Sequence, residues 1–300
     1  MNGFILVLIA SFIWALDSLI RYPLVSQGIS SFQIVLGGHL VLTLMYGKYF
    51  FQNIKKFQFK DLFYFLFIGG VGSACATLAF TQAFTYMNPS LVIILQKLQP
   101  LVAIILAWYL LGEKISKSFL IGALICLFGA VLIAYDDFKV FWENIHNLDK
   151  LFYTAQYLRG YLLVLFAVVG WGASTVIGKK LLTLNYDSKH IMSGRFVFGF
   201  MCLLPFVFFQ RVPFNYEPLV LFKIGFIEIL SGAIALSFYY KGLRKINARA
   251  CAIGETFFPV FAIILNWIFL HKSILPIQVV GTFLLLLGST LIQWFDRDES

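Results

Sequence analysis

Charged residues are scarce in this chain of 300 residues. They make up 12% of the sequence, whereas soluble domains carry roughly 25%. Hydrophobic residues make up 60%, in blocks of about 20, which is the length an α-helix needs to cross a bilayer. The blocks are continuous rather than alternating, which does not fit the strands of a membrane β-barrel. The composition therefore predicts an all-α integral membrane protein in a lipid bilayer.

Motifs for catalysis and metal binding are also missing. The sequence contains no GxxxxGK[ST] phosphate-binding loop, no GxSxG nucleophile motif and no zinc-ligand spacing. The four cysteines lie inside apolar blocks without a CxxC pair, so we expect them to behave as small apolar side chains. We therefore predict no enzyme activity, no catalytic residue, no metal and no cofactor.

The net charge of +9 could suit a nucleic-acid partner, but its distribution argues against one. Lys and Arg cluster in short loops between the apolar blocks, where they set the orientation of a membrane protein. With the N-terminus in the cytoplasm, inside loops and the C-terminal tail hold 14 of these residues and outside loops hold 6. The bias predicts that both termini are cytoplasmic. Low charge with frequent Phe, Ile and Lys suggests an AT-rich bacterial genome, hence a bacterial cytoplasmic (inner) membrane.

The apolar blocks predict ten membrane-spanning helices. Their approximate limits are 3–21, 32–51, 62–86, 89–111, 117–135, 158–182, 188–210, 218–241, 247–270 and 275–294. The first block lacks a preceding basic region, so it is predicted to be a retained span rather than a cleaved signal peptide.

An internal repeat divides the chain. At an offset of 159 residues, Asn88 matches Asn247, Pro100 matches Pro259, Trp108 matches Trp267, and Gly122 and Gly129 match Gly281 and Gly288. The predicted units are residues 1–135, a polar linker at 136–157, residues 158–294 and a cytoplasmic tail at 295–300. Because each unit has five spans, the second must enter the membrane from the opposite side. Such inverted repeats are typical of secondary transporters.

The repeated segments resemble a known family. "LQPLVAIILAWYLLGEKIS" followed by "GALICLFGAVLI", and "FFPVFAIILNWIFLHKSI" followed by "GTFLLLLGSTLI", are similar to the ten-span EamA branch of the drug/metabolite transporter superfamily. The second copy departs from the family pattern, with "LHKS" where a Gly-Glu pair is usual. The resemblance implies a central cavity lined by spans one to four and six to nine, with spans five and ten packed outside. It also implies movement of metabolites or drugs without ATP.

Two of the cavity-lining spans carry a charge and a proline near the middle. "ILQKLQPLVAIIL" holds Lys97 and Pro100, and "IGETFFPVFAIIL" holds Glu255 and Pro259. A charge at the bilayer centre costs at least roughly 2.5–3.5 kcal/mol, so it usually faces a protein cavity. Each proline frees the carbonyl four residues earlier, which predicts a kink and a bare acceptor at Gln96 and at Glu255.

The candidate substrate-binding residues are polar and aromatic side chains on these spans. They are Lys97, Glu255, Glu228, Gln96, Gln99, Trp14, Trp171, Tyr240 and Asp17, with Tyr86 and Tyr239 as further candidates for the cavity wall. Lys97 either serves substrate or coupling, or is a structural partner of Glu228 or Glu255. Asp17 and Arg21 lie four residues apart, so they share a helix face and can pair at the outer mouth.

Other residues are predicted to shape the helix bundle. Pro100 and Pro259 kink their helices, His39 and Arg195 make structural contacts between helices, and Gly122, Gly129, Gly281 and Gly288 allow close helix packing.

The predicted function is secondary-active or facilitative transport of a small polar or charged organic metabolite by alternating access. Opposite charges in one pocket suit a zwitterion such as an amino acid. Proton coupling is an open alternative, since burial can raise the pKa of a glutamate. The chain is expected to be a monomer or a homodimer. Two other classes stay open: a binding or sensor protein without flux, and a membrane enzyme acting on lipid-linked substrates.

Overall fold

The computed structural model describes residues 2–112, 115, 117–143, 148–210, 216–255, 257–271 and 275–295, and every regular element in these ranges is helical. The α-helices are α1 (Gly3–Ser26), α2 (Ser31–Gln52), α3 (Leu62–Leu66), α4 (Ala76–Ala83), α5 (Pro89–Leu95), α6 (Gln99–Leu111), α7 (Lys117–Glu143), α8 (Leu148–Thr183), α9 (Ser188–Gln210), α10 (Pro218–Ile227), α11 (Leu236–Leu243), α12 (Ala248–Gly254), α13 (Phe257–Leu270) and α14 (Pro276–Phe295). Two π-helical segments, Phe67–Cys75 and Glu228–Ala235, join α3 to α4 and α10 to α11.

Six helical stretches in the described ranges are long and apolar enough to cross a membrane. They are Gly3–Ser26, Ser31–Gln52, Phe59–Ala83, Leu158–Thr183, Ser188–Val207 and Pro218–Leu243. Four shorter apolar helices accompany them: Leu101–Leu111, Leu120–Leu132, Val260–Leu270 and Pro276–Gly288. The described part of the chain is therefore helical, and its long apolar helices suit a bilayer by length and composition.

Two boundaries differ from the predicted ones. Helix α1 continues to Ser26, so Arg21 lies inside a helix with 5% of its surface exposed rather than in a loop. The segment 136–157 is helical in its described parts, because α7 extends to Glu143 and α8 begins at Leu148.

Helices from the two halves of the chain pack against each other. Helix α1 contacts α11 and α13, α6 contacts α8, α4 contacts α8, and α2 contacts α9. The two largest apolar clusters among the described residues form most of the core of this packing. One is centred on Val92, Ile93 and Val164, and the other on Phe196 and Tyr240. The middle of the bundle is therefore built from helices of both halves.

Helices α7 and α14 pack closely on each other through four glycines. A Cβ atom on Gly129 would lie 2.6 Å from the carbonyl oxygen of Gly281, and one on Gly288 would lie 2.5 Å from that of Gly122. The thiol of Cys126 donates to the carbonyl of Leu285 at the crossing, 3.4 Å away. Because glycine has no side chain, the two helix backbones approach to van der Waals contact. Small residues allow such close packing between helices in membranes.

Replacing Gly129 by alanine is expected to destabilise this crossing. The new methyl group would meet backbone atoms, which cannot rotate away, and such overpacking costs about 1–3 kcal/mol. Thermal unfolding of the purified protein in detergent measures the effect. Gly47→Ala is the matched control, because a Cβ atom there meets nothing within 4 Å. Equal melting temperatures for the two variants would contradict the packing.

One end of the bundle is tied together by polar contacts at the α8–α9 connection. Tyr186 donates to the buried Asp61, 3.0 Å away, and accepts from the amide of Gln58. Asp187 precedes α9 and accepts from the amide of His190, 2.8 Å away. Partial burial opposes the charge on Asp187, but hydrogen bonds from His190 and Tyr49 hold the pKa of its carboxyl below the ordinary value. These contacts join the segment 53–61 of the first half to the second half.

Candidate functional site

A cavity lies in the middle of the helix bundle. Its volume is about 170 Å³, counted as the space that the centre of a water molecule can occupy. One water needs roughly 10–15 Å³ by the same measure. Aromatic side chains form much of its wall: Trp14, Phe80, Phe84, Trp171, Phe196, Tyr239 and Phe258. The ring centroids of Phe80 and Trp171 are 4.9 Å apart, and those of Trp14 and Tyr239 are 5.5 Å apart. The cavity is thus a largely apolar space with room for a small organic molecule.

The first polar cluster of the cavity joins α1 to the second π-helical segment. Arg21 Nε donates to Oδ1 of Asp17 at 2.5 Å, and its Nη2 donates to Oδ2 of Asp17 at 2.8 Å and to Oε1 of Glu228 at 3.0 Å. Ser231 Oγ lies 2.8 Å from Oδ2 of Asp17. All four residues line the cavity. One guanidinium therefore holds two carboxylates, which we call the Arg21 triad (Asp17, Arg21, Glu228).

The second polar cluster surrounds Glu255, next to the break between α12 and α13. Gln99 Nε2 donates to Oε2 of Glu255 at 2.5 Å, and Thr175 Oγ1 lies 3.4 Å from Oε1. The hydroxyl of Tyr239 donates to Thr175 Oγ1 at 2.9 Å. Among the described contacts of this carboxylate the donors are neutral, so hydrogen bonds rather than an ion pair orient it.

The third polar cluster lies between α2, α9 and the first π-helical segment. Arg195 Nη2 donates to the carbonyl of Gly72 at 3.0 Å, and its Nη1 lies 3.3 Å from the hydroxyl of Tyr240. His39 contacts the carbonyl of Val35 through Nδ1 at 2.9 Å, and Ser73 Oγ through Nε2 at 3.1 Å. His39, Ser73 and Arg195 all line the cavity. This side of the cavity is rich in hydrogen-bond donors.

The two π-helical segments each offer a backbone carbonyl to a cavity side chain. Arg195 donates to the carbonyl of Gly72 in the first segment, and Trp14 Nε1 donates to that of Ser231 in the second, 3.0 Å away. A π-helix interrupts the regular i to i−4 bonding, and such segments are frequent at functional sites. Gly72 and Ser231 are 159 residues apart, the offset of the repeat.

The broken helices fit the predicted kinks but not the predicted bare acceptors. The fourth apolar block divides into α5, a 3₁₀ turn at Gln96–Leu98 and α6, and the ninth divides into α12 and α13. The carbonyl of Gln96 accepts from the amide of Gln99, and that of Glu255 accepts from the amide of Phe258. The expectation of bare carbonyls is wrong, because a tighter i to i+3 bond satisfies each one.

The structure brings most of the predicted binding residues to the cavity. Lining residues from that prediction are Trp14, Asp17, Gln96, Gln99, Trp171, Glu228, Glu255 and Tyr239. Tyr240 is fully buried behind the wall and contacts Arg195, and Tyr86 lies near Arg159 instead. The side chains of Lys97, Pro100 and Pro259 lie outside the described set.

Several cavity residues lack a distinctive sequence signal. Arg195 and His39, predicted as structural contacts, line the cavity as well, and so do Ser174, Thr175 and Ser231. Hydroxyl residues are common in membrane helices, so the sequence alone does not separate these three from others. Their small size next to glycine-rich segments was the available clue.

A family model matches this chain over residues 1–135 and 158–294, and its description is EamA-like transporter family. The chain belongs to the EamA-like transporter family. Both matched segments of the EamA chain contribute to the cavity, for example Asp17 from the first and Glu228 from the second.

Known relatives of this EamA chain include a named transporter. This chain is 27% identical to "Riboflavin transporter ImpX" of Fusobacterium nucleatum subsp. nucleatum, over 96% of each chain. It is 24% identical to an uncharacterized transporter of Clostridium kluyveri, over 97% of this chain and 92% of the other. A solved crystal structure matches with a TM-score of 0.67 at 14% identity over 98% of both chains, a likeness of fold.

Proposed function

We propose that this EamA chain is a secondary-active or facilitative transporter that moves a small polar organic metabolite by alternating access. The observation that carries the proposal is the central cavity, whose aromatic walls and polar clusters are built from both halves of the chain. A cavity shared by two halves can open to either side when one half rocks against the other.

The proposed architecture is ten membrane spans in two inverted repeats, residues 1–135 and 158–294. Residues related by the 159-residue offset support it, because Gly122 and Gly129 and their equivalents Gly281 and Gly288 all lie at one helix crossing. Cys126 contacts its own equivalent, Leu285, at the same crossing. The π-helical segments fall in the third and eighth apolar blocks, which are equivalent in the repeat. We place the protein in the cytoplasmic membrane of a bacterium with both termini inside, as the loop charges indicate.

Riboflavin is the first substrate to test. A relative named as a riboflavin transporter aligns over 96% of this chain. A flavin is planar and aromatic with polar edges, and the cavity offers aromatic walls beside hydrogen-bonding groups. The wall includes the tilted ring pairs Trp14–Tyr239 and Phe80–Trp171. Aromatic pairs of this kind contribute about 0.5–1.5 kcal/mol beyond the burial of their surface.

A zwitterion such as an amino acid is the second candidate. The cavity contains both signs of charge, but Arg21 is already held by Asp17 and Glu228. A charged ligand would have to compete with these internal pairs, and breaking a buried ion pair costs about 3–5 kcal/mol. The pairing within the cavity therefore favours an uncharged substrate over a zwitterion.

Glu255 is the proposed coupling residue if transport is driven by protons. Its described donors are Gln99, Thr175, Tyr239 and Cys251, all neutral groups that bind either protonation state of a carboxyl. Arg195 interacts with it electrostatically but forms no direct ion pair with it. Such an environment tolerates loss of the negative charge better than the Arg21 triad does. Facilitated diffusion needs no such group, so the two modes differ in their response to Glu255→Gln.

Uptake of riboflavin into proteoliposomes tests the proposal. We expect wild-type protein to accelerate uptake, and Glu255→Gln and Lys97→Ala to reduce the rate by about 10-fold or more, the effect of losing a charged hydrogen-bonding group. Glu217→Gln and Lys241→Ala are the matched controls, because both residues are exposed. Addition of a protonophore separates coupled from facilitative transport.

The outcomes distinguish the open classes. Wild-type rates in both variants would remove Lys97 and Glu255 from the mechanism. Saturable riboflavin binding without any flux in the wild type would favour a binding or sensor protein. Amino-acid uptake without riboflavin uptake would replace the first substrate candidate by the second.

A further inference from the structure

Three donors in cavity-lining residues have no hydrogen-bond partner in the described part of the chain: Nη1 of Arg21, Nε of Arg195 and Oγ of Ser174. The last two lie outside the Arg21 triad, in residues that are 8% and 4% exposed. The rest of the Arg195 guanidinium is held by the carbonyl of Gly72 and the hydroxyl of Tyr240. A buried donor without an acceptor is costly, and nearly all such groups in folded proteins find a partner. The two donors therefore indicate that an acceptor from outside the chain binds here.

Both residues approach Gly72. Nη2 of Arg195 donates to the carbonyl of Gly72, and a Cβ atom on Gly72 would lie 1.6 Å from Ser174 Oγ. Only a residue without a side chain can occupy position 72 while Ser174 keeps its place. We call Gly72, Ser174 and Arg195 the Gly72 corner.

The chemistry of the corner selects the group that it can bind. Arg195 Nε is a donor only, and a serine hydroxyl can donate beside it. Each can donate to an oxygen acceptor of a molecule in the cavity. The Arg21 triad on another side of the cavity contributes two carboxylates, and Glu255 a third, which disfavour an anionic ligand.

We propose that the Gly72 corner binds a carbonyl or carboxylate oxygen of the transported molecule, through Arg195 Nε–H and the Ser174 hydroxyl. This assignment rests on the proposed transport function and names the group of the substrate that the cavity recognises. An uncharged carbonyl, as on the ring edge of a flavin, fits the charge of the cavity better than a carboxylate. Arg195 and Ser174 are then specificity-determining residues in addition to structural ones.

Binding of two probes to the purified full-length protein tests the assignment. Riboflavin presents uncharged carbonyls, and L-phenylalanine presents a carboxylate beside an aromatic ring. Quenching of tryptophan fluorescence measures Kd, because Trp14 and Trp171 line the cavity. For whichever probe binds, we expect Ser174→Ala to weaken binding by about 3–10-fold and Arg195→Lys by about 10–100-fold, since lysine lacks the planar fork.

Matched variants separate binding from folding. Ser193→Ala is the control for Ser174→Ala, because Ser193 is buried and its hydroxyl already donates to the carbonyl of His190. Gly72→Ala is expected to abolish binding, whereas Gly70→Ala in the same π-helical segment meets only Cys202 at 3.5 Å and should bind normally. The pair Gly72→Ala with Ser174→Gly removes the clash and should recover the melting temperature without recovering affinity.

A chemical substitution in the probe supplies the sharpest readout. Replacing one ring carbonyl oxygen of riboflavin by sulfur weakens that acceptor. Wild-type protein should discriminate against one of the two thio-analogues, and Ser174→Ala should lose that discrimination. A role of Ser174 in packing alone would leave it unchanged.

Each result bears on the assignment. Unchanged Kd values in Ser174→Ala and Arg195→Lys, with a ligand still transported, would overturn the Gly72 corner and leave transport standing. Binding that depends on both residues, without flux in vesicles, would support the corner and reject transport. Failure of both probes to bind the wild-type protein would also overturn the assignment, since water alone would then satisfy the two donors.

Discussion

Replacing Arg21 by methionine is expected to lower the free energy of unfolding by about 3–5 kcal/mol, as when one partner of a buried ion pair is removed. The change would leave Asp17 and Glu228 as two buried carboxylates whose shared cation is gone. Methionine keeps much of the side-chain volume, so the loss reports charge rather than a cavity. Thermal unfolding in detergent should show a fall in Tm on the order of 10 °C, and uptake should fall with it.

A charge-neutral version of the triad is the informative comparison. Combining Asp17→Asn, Arg21→Met and Glu228→Gln removes all three charges together, and most of the lost stability should return. Arg159→Met is the surface control. Arg159 is exposed and contacts the ring and hydroxyl of Tyr86, so its change should stay within about 0.5 kcal/mol. A triple variant as unstable as Arg21→Met would show that the triad contributes more than paired charges.

Replacing Gly38 by alanine is expected to break the same triad from its other side, at a cost of about 3 kcal/mol from overpacking and the lost ion pair. A Cβ atom on Gly38 would lie 2.4 Å from Oε1 of Glu228 and 2.6 Å from its Cγ. Because the whole carboxyl end is crowded, Glu228 would have to leave Arg21. Melting temperature and riboflavin uptake measure the two consequences.

The neighbouring glycine provides the control for this variant. A Cβ atom on Gly37 would lie 3.4 Å from Ile224, an ordinary contact, so Gly37→Ala should behave nearly as wild type. Adding Glu228→Ala to Gly38→Ala removes the crowded carboxyl and should recover much of the melting temperature without recovering uptake. If Gly37→Ala and Gly38→Ala were equally mild, the position of Glu228 against α2 would be wrong.

Local spacing was enough to predict some of the site. Asp17 and Arg21 lie four residues apart, which places them on one face of a helix, and they pair. The spacing of residues in the sequence did not predict the third member of the triad. Glu228 is more than 200 residues away along the chain, and its position depends on how α1 packs against the second π-helical segment.

The sequence did not separate the two adjacent tyrosines of the eighth apolar block. Both Tyr239 and Tyr240 were predicted for the cavity wall, and only Tyr239 lies there. The π-helical segment Glu228–Ala235 precedes both residues and holds more residues per turn than an α-helix. The faces of the following helix are therefore rotated by an amount that the sequence pattern does not reveal.

The prolines show the same division between local and tertiary information. Their positions correctly predicted interruptions near Gln96 and Glu255, because a ring without an N–H cannot continue the bonding pattern. Which donor bonds to each freed carbonyl depended on the backbone conformation around the break. Both carbonyls found amide donors three residues later.

The sequence by itself determined the membrane class, the helical fold and a first set of polar cavity residues, since these follow from apolar block length and the cost of charge in lipid. Only the tertiary structure decided which charges pair and which donors stay open towards the cavity. Arg21 is shared by Asp17 and Glu228. Nη1 of Arg21, Nε of Arg195 and Oγ of Ser174 keep no described acceptor. Such assignments depend on distances of about 3 Å between side chains from distant parts of the chain, and composition and periodicity carry no information at that scale.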